Sequence, residues 1–345
     1  MRFSQWTVTL GLALGILPCG YLLADAPYTV LKTVAPPGTG GYDYLFADSV
    51  AKRLYIPRTG GDGRIDVYDT DTLQQEGALP ASKVHGVAVS QTSGHGFSSS
   101  SPVLMWEAKT LKMIKEIPVT GEPDGILWDA YQDRVYIMSH TAPNVTVLDA
   151  ASGQVVGTLD LGGEPEQAVS DGSGRLYIDV QDKNAIAAVD AASLRVIRYL
   201  GLQGKGEQCG GLALDVAHHV LFATCRKTQN MVILSSVTGE VLAALPIGRG
   251  NDGAFFNRKT GEVFSSQGDG TLTIVKETAP DTFQIEQTLA THPNARTLTL
   301  DESTGRIYLV SADFLPPASP QPTVQGRPNR GPMVPNSFQV LVVGK

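Results

Sequence analysis

An Arg-apolar-Tyr-apolar signature recurs along this chain, as Arg53-Leu54-Tyr55-Ile56, Arg134-Val135-Tyr136-Ile137, Arg175-Leu176-Tyr177-Ile178 and Arg306-Ile307-Tyr308-Leu309. Looser versions centre on Phe97, Phe222 and Phe264, so seven aromatic anchors follow one another at intervals of 39 to 45 residues. A period of that length constrains the fold more than any composition figure, because each unit is one supersecondary module that cannot bury both its faces alone. The most legible unit, Glu122–Gly162, holds four short runs, Gly125–Asp129, Arg134–Ser139, Asn144–Asp149 and Val155–Asp160, separated by turn formers. The runs are too short for amphipathic helices and are rich in β-branched and aromatic residues, so each unit is an antiparallel meander of four strands. Seven such units predict an all-β fold, a seven-bladed β-propeller of four-stranded antiparallel blades.

The two ends of the sequence predict how the ring closes. Tyr28–Val34 aligns with Val155–Leu159, the outermost strand of a blade, and Ser337–Val343 aligns with Asn144–Asp149, a third strand. The N-terminal strand is therefore expected to complete the last blade, removing two sheet edges that would otherwise invite aggregation.

Composition places the ring in a compartment. Arg2, the apolar run Val8–Leu17 and small residues at Ala24–Ala26 read as a signal peptide over residues 1–26, too short to span a membrane comfortably. Residues 27–345 then form a single propeller domain, periplasmic or secreted and not integral to a membrane. Pro18 directly before Cys19 argues against lipoprotein anchoring there. Lys plus Arg number 27 against 34 Asp plus Glu, a net charge of −7, which argues against nucleic acid as a partner. A monomer is expected.

Removal of the leader leaves Cys209 and Cys225. Pairing Leu212 with Phe222 in the fifth blade sets these cysteines opposite each other at one end of a hairpin, where an oxidising compartment favours a disulfide. Two reduced thiols pointing apart are the alternative. A metal pair fails, since His218 and His219 lie at the other end of the hairpin. Two irregularities stand out. The loop after Phe97 in blade two is compressed, and blade seven carries a Pro-rich insertion over 314–335, with Arg327 and Arg330. An insertion of this composition is neither strand nor helix; it is a flap over one end of the ring or a tether.

Candidate site residues emerge when the repeats are superposed. The first strand of each blade starts at one mouth of the central channel. Twelve positions before each anchor stand Asp43, His85, Asp124, Gly210, Asp252 and Arg296, and in the shorter fourth blade Glu166 takes the place. Four carboxylates, one imidazole and one guanidinium are thus expected to converge, where they would shift one another's pKa values and attract a cation or a polar ligand. A merely solvated polar rim is the plain alternative. Asp43, Asp124, Asp252 and Glu166 could hold a hard divalent cation, although Arg296 lowers the anion excess. Lactone hydrolysis would use His85 or a carboxylate as general base beside such a cation. Gly248–Gly253 matches GxGxxG but stands between two strands, so no helix N-terminus awaits a phosphate.

The chain resembles the YVTN-type β-propellers, specifically the exported YncE-like proteins. The resemblance rests on His85–Val89, Gly94–Phe97, Glu164–Tyr177, Cys225-Arg226, Ala295–Tyr308 and the ending Phe338–Gly344, and covers essentially all of residues 27–345. It implies a seven-bladed ring exported by bacteria and no agreed enzymatic activity. Blade two departs from it, with Ser98–Ser101 where an Asn-containing turn would stand. Related propellers include lactonases and quinone-cofactor dehydrogenases; this chain lacks the adjacent cysteine pair of the latter. The functional expectation is an exported binding or scaffold module that takes a small polar ligand or a protein partner at its charged mouth, with a lactonase-type hydrolase as the alternative.

Overall fold

The computed structural model describes residue 1 and residues 26–38, 40–60, 63–317 and 330–345. The expected leader with Cys19, and the middle of the Pro-rich insertion with Arg327, lie outside the described residues. Among those described, 28 strands form seven four-stranded antiparallel sheets. Six are simple meanders from the innermost strand outward, as in blade three: Pro123–Asp129, Arg134–Ser139, Val145–Asp149 and Val155–Leu159. Blade seven is composite. Leu298–Asp301, Arg306–Ser311 and Gln339–Gly344 supply its inner three strands, and Thr29–Val34 is its outermost, with Thr29 opposite Gly344 and Val34 opposite Val340. The ring closes with the N-terminal strand, as the sequence predicts.

Burial follows from this stacking. Side chains alternate across a sheet, so each blade offers an apolar face to both neighbours. Seven buried clusters result, one for each blade-to-blade interface. Tyr55, Tyr136, Tyr177, Phe222 and Tyr308 all lie in this layered core. Tyr308 adds a polar tie, since its hydroxyl donates to Thr70 O of blade one at 2.9 Å.

A second local repeat sits at the turns between third and fourth strands. Asp69, Asp149 and Asp190 accept the backbone N–H of Thr72, Ser152 and Ser193 at 2.7–2.8 Å. The residue after each, Leu73, Gly153 or Leu194, has φ between 52° and 63°. This Asp-x-x-Ser/Thr turn lets the carboxylate replace a ladder partner while the next residue reverses the chain.

The connection in blade two is short, spanning 100–102, as its compressed sequence implies, and that of blade six, 268–270, is equally short. The roots of the Pro-rich insertion meet through a bridge between Phe314 and Met333. Phe314 packs 6.3 Å from the ring of Tyr42, and Arg330 lies over Phe314 at 4.9 Å, at the interface of blades seven and one. No helix among the described residues is long and apolar enough to cross a membrane.

Candidate functional site

In an antiparallel hairpin the start of the first strand and the end of the second lie at the same edge. Pro123 pairs with Ser139 in blade three and Cys209 with Cys225 in blade five, so the residues just beyond these pairs face one mouth of the channel. The structure brings together there all six charged residues that the aligned repeats single out. It also adds two that counting back from the anchors does not reach, His140 and Arg226.

The eight groups form an unbroken circuit in which acid alternates with base. Asp43 Oδ2 lies 2.9 Å from His85 Nδ1, which is 3.3 Å from Asp124 Oδ1. Asp124 Oδ2 and Glu166 Oε1 flank His140 Nε2 at 3.5 and 3.7 Å. Arg226 donates to Glu166 Oε1 and Oε2, both at 3.1 Å, and its Nη2 also donates to Asp252 Oδ1. Arg296 Nε donates to Asp252 Oδ2 at 2.6 Å, and its Nη2 returns to Asp43 Oδ1 at 3.5 Å. Glu166, Arg226 and Asp252 are buried, whereas His85 and His140 are partly exposed.

Tyr44, another residue outside the sequence reading, forms the floor. It comes from the start of blade one and donates its hydroxyl to Glu166 Oε2 of blade four at 2.9 Å. Those blades face each other across a seven-membered ring, so the phenol spans the channel. Burial, and then the negative charges of Glu166, Asp252, Asp124 and Asp43, hold its pKa well above the ordinary phenol range. Beneath it the innermost strands enclose a cavity of about 960 Å³, lined by side chains such as Phe46, Trp128 and Phe255.

Blade five shows how one mouth position was replaced. Gly210 stands where other blades place a charge, and a Cβ there would lie 2.2 Å from Arg226 Nη2. The glycine makes room for an arginine arriving from the facing strand. A register shift between Cys209 and Gly211 pairs Leu212 with Ala223 and Ala213 with Phe222, correcting the sequence-based pairing of Leu212 with Phe222 by one residue. The extra residue is a bulge, and it leaves Cys209 opposite Cys225, to which it is disulfide-bonded. The disulfide therefore clamps the hairpin end from which Arg226 projects.

The charges are unevenly compensated. Burial alone would lower the pKa of Arg226, but Glu166 and Asp252 outweigh it and hold the guanidinium well above its usual value. Asp252 and Asp43 do the same for Arg296. Asp124 has no arginine partner: burial, then Asp43 and Glu166, push its pKa up to about 7, against the pull of His85 and His140. Behind Glu166, the side chain of Asp179 is fully buried and makes no hydrogen bond, and burial followed by the charge of Glu166 raises its pKa well above the carboxylate range.

Two donor sets of metal-ligating type share Asp124: Asp43–His85–Asp124 and Asp124–His140–Glu166, each with its ligand atoms within 4.8 Å of one another. Asp252 is occupied by both arginines. The mouth can thus hold a cation, or a ligand carrying positive charge, on the side lined by imidazoles.

No protein-family model matches the sequence, and no curated protein does. The fold itself is well represented among solved structures. It is similar to the WD40 repeats of RRP9 (TM-score 0.71, 12% identity, covering 93% of this chain and 98% of that one). It is equally similar to U3-55K (TM-score 0.70, 12% identity, 91% and 98%) and to a chain of the mitotic checkpoint complex (0.69, 11%, 90% and 96%). Identities this low establish architecture alone: the chain is a seven-bladed β-propeller, similar in fold to WD40 repeats.

Proposed function

We propose that this protein is an exported binding propeller of the YVTN type that takes a small cationic or polar ligand in its charged mouth. One observation carries the reading. Arg226 and Arg296 compensate Glu166, Asp252 and Asp43, while Asp124 faces only imidazoles above a floor closed by Tyr44. A partly uncompensated acidic channel mouth concentrates cations, since low-dielectric walls focus the field. The Cys209–Cys225 disulfide supports residence in an oxidising compartment, in keeping with the leader-like sequence at the N-terminus. The test is a thermal-shift and calorimetric screen of the purified full chain against small amines, divalent cations and organic anions of matched size. Saturable binding by cations alone, weakened by Asp124→Asn, supports the reading; preferential binding of anions overturns it.

A second reading, a lactonase-type hydrolase, draws on the contact between Asp43 and His85, the arrangement of a carboxylate orienting a general base. It predicts proton release on a lactone panel that disappears in His85→Ala. No turnover, or turnover indifferent to that substitution, removes it.

A further inference from the structure

We infer that Asp124, His140 and Glu166 are the protein ligands of a zinc-type divalent metal site. This deepens the reading of the mouth as a cation pocket and rests on it. The spacing of the three side chains suits a metal ion. His140 Nε2 stands 3.5 Å from Asp124 Oδ2 and 3.7 Å from Glu166 Oε1. Both separations are long for a hydrogen bond to a ring nitrogen. They are close to the edge of a coordination tetrahedron, about 3.4 Å when the metal bonds are about 2.1 Å. The neighbouring set differs: His85 Nδ1 lies 2.9 Å from Asp43 Oδ2, a hydrogen bond already made.

His140 Nε2 is shielded from solvent and makes no hydrogen bond. A buried polar atom without a partner costs about 1–3 kcal/mol, and native proteins retain few of them without a purpose. A metal ion between the imidazole and the two carboxylates would satisfy that nitrogen.

Glu166 is held by Arg226 through both its oxygens and by the Tyr44 hydroxyl, and Arg226 is in turn fixed by Gln181 Oε1 at 3.0 Å and Asn251 O at 3.1 Å. Outer-shell contacts of this kind orient metal ligands. An imidazole nitrogen with two carboxylates selects zinc or its first-row neighbours over calcium or magnesium, which prefer oxygen alone. Three protein ligands leave a fourth position for water or an incoming ligand.

The experiment uses the full chain, stripped with chelator and titrated calorimetrically with Zn²⁺, Co²⁺ and Ca²⁺. One Zn²⁺ per chain is expected, Co²⁺ should give the visible bands of a tetrahedral site, and Ca²⁺ should bind far more weakly. His140→Gln should lower Zn²⁺ affinity by about 100-fold or more, beyond the roughly 10–100-fold that loss of an outer-shell partner costs. His140→Ala, melted alongside it, separates loss of a ligand from loss of the fold. His218→Ala, at the exposed histidine of the Asp215–His218–Glu277 group at the other end of the ring, should change nothing. Unchanged Zn²⁺ binding in folded His140 variants, or binding abolished by His218→Ala, overturns the inference, as does Ca²⁺ binding equal to Zn²⁺. If no metal binds while small amines still do, the metal site is wrong and the cation pocket stands. If neither binds, both fail.

Discussion

The two halves of the mouth are built from the same kinds of group at the same height of the ring, yet they do opposite things. On one side Glu166, Asp252 and Asp43 are bridged by Arg226 and Arg296, which are permanently charged. On the other, Asp124 lies between His85 and His140, whose charge depends on conditions. Burying ions is costly unless each is paired and hydrogen-bonded, so the arginine half is structural and must remain intact. The imidazole half is more exposed, and its His140 Nε2 makes no hydrogen bond, which leaves that ring able to take a new partner. Charge count alone does not distinguish them; the lasting charge of guanidinium against the variable charge of imidazole does.

The sharpest attack on this contrast is Arg226→Met, which strips buried Glu166 of its guanidinium and leaves Asp252 with Arg296 alone. A loss of about 3–5 kcal/mol is expected in urea denaturation. A loss comparable to that of the histidine variants below would erase the distinction. Next comes the clamp behind that arginine: the double substitution Cys209→Ala/Cys225→Ala should cost about 2–4 kcal/mol in the same assay. Gly210→Ala should cost about 1–3 kcal/mol, because the new Cβ must displace the guanidinium.

A pH experiment sharpens the comparison further. The Asp179 carboxyl titrates higher in the folded chain than in the unfolded one. Between those two pKa values the folded state binds the extra proton, so stability falls as pH rises, by at most about 1.4 kcal/mol per pH unit from this group. Asp179→Asn should remove that decline, visible as a flatter profile of denaturation midpoint from pH 4 upward; an unchanged slope would assign the decline to other groups. The smallest effect belongs to the imidazole half, where His140→Gln should shift folding stability by only about 0.5 kcal/mol.

Much of this was legible in the sequence, for a physical reason. Repeats that stack must keep their anchors in register, so Tyr55, Tyr136 and Tyr308 announce the blades and their number, and a fixed count back from them finds Asp43, Asp124 and Arg296. His140 and Arg226 stand four positions after Tyr136 and Phe222, and a forward count would have found them. The other blades place Thr59, Ser101, Gln181, Gly268 and Ala312 there, so no charge pattern drew attention to the position. Tyr44 was hidden for another reason. Its role depends on reaching across the ring to a residue 122 positions away, and no local pattern encodes the width of a channel. The one-residue error at Leu212 has the same origin: a bulge at Gly210 becomes legible only once Arg226 is known to need the space.

Ring closure also decides which way the molecule faces. Tyr28 donates its hydroxyl to Glu262 Oε2 at 2.5 Å, and Lys345 reaches Oε1 of the same carboxylate at 2.8 Å. Glu262 begins the second strand of blade six, at the base of the ring, where Thr29 and Gly344 also pair. Tyr28 and Lys345 therefore share the underside of the ring, and the opening with Asp124 and His140 faces the other way.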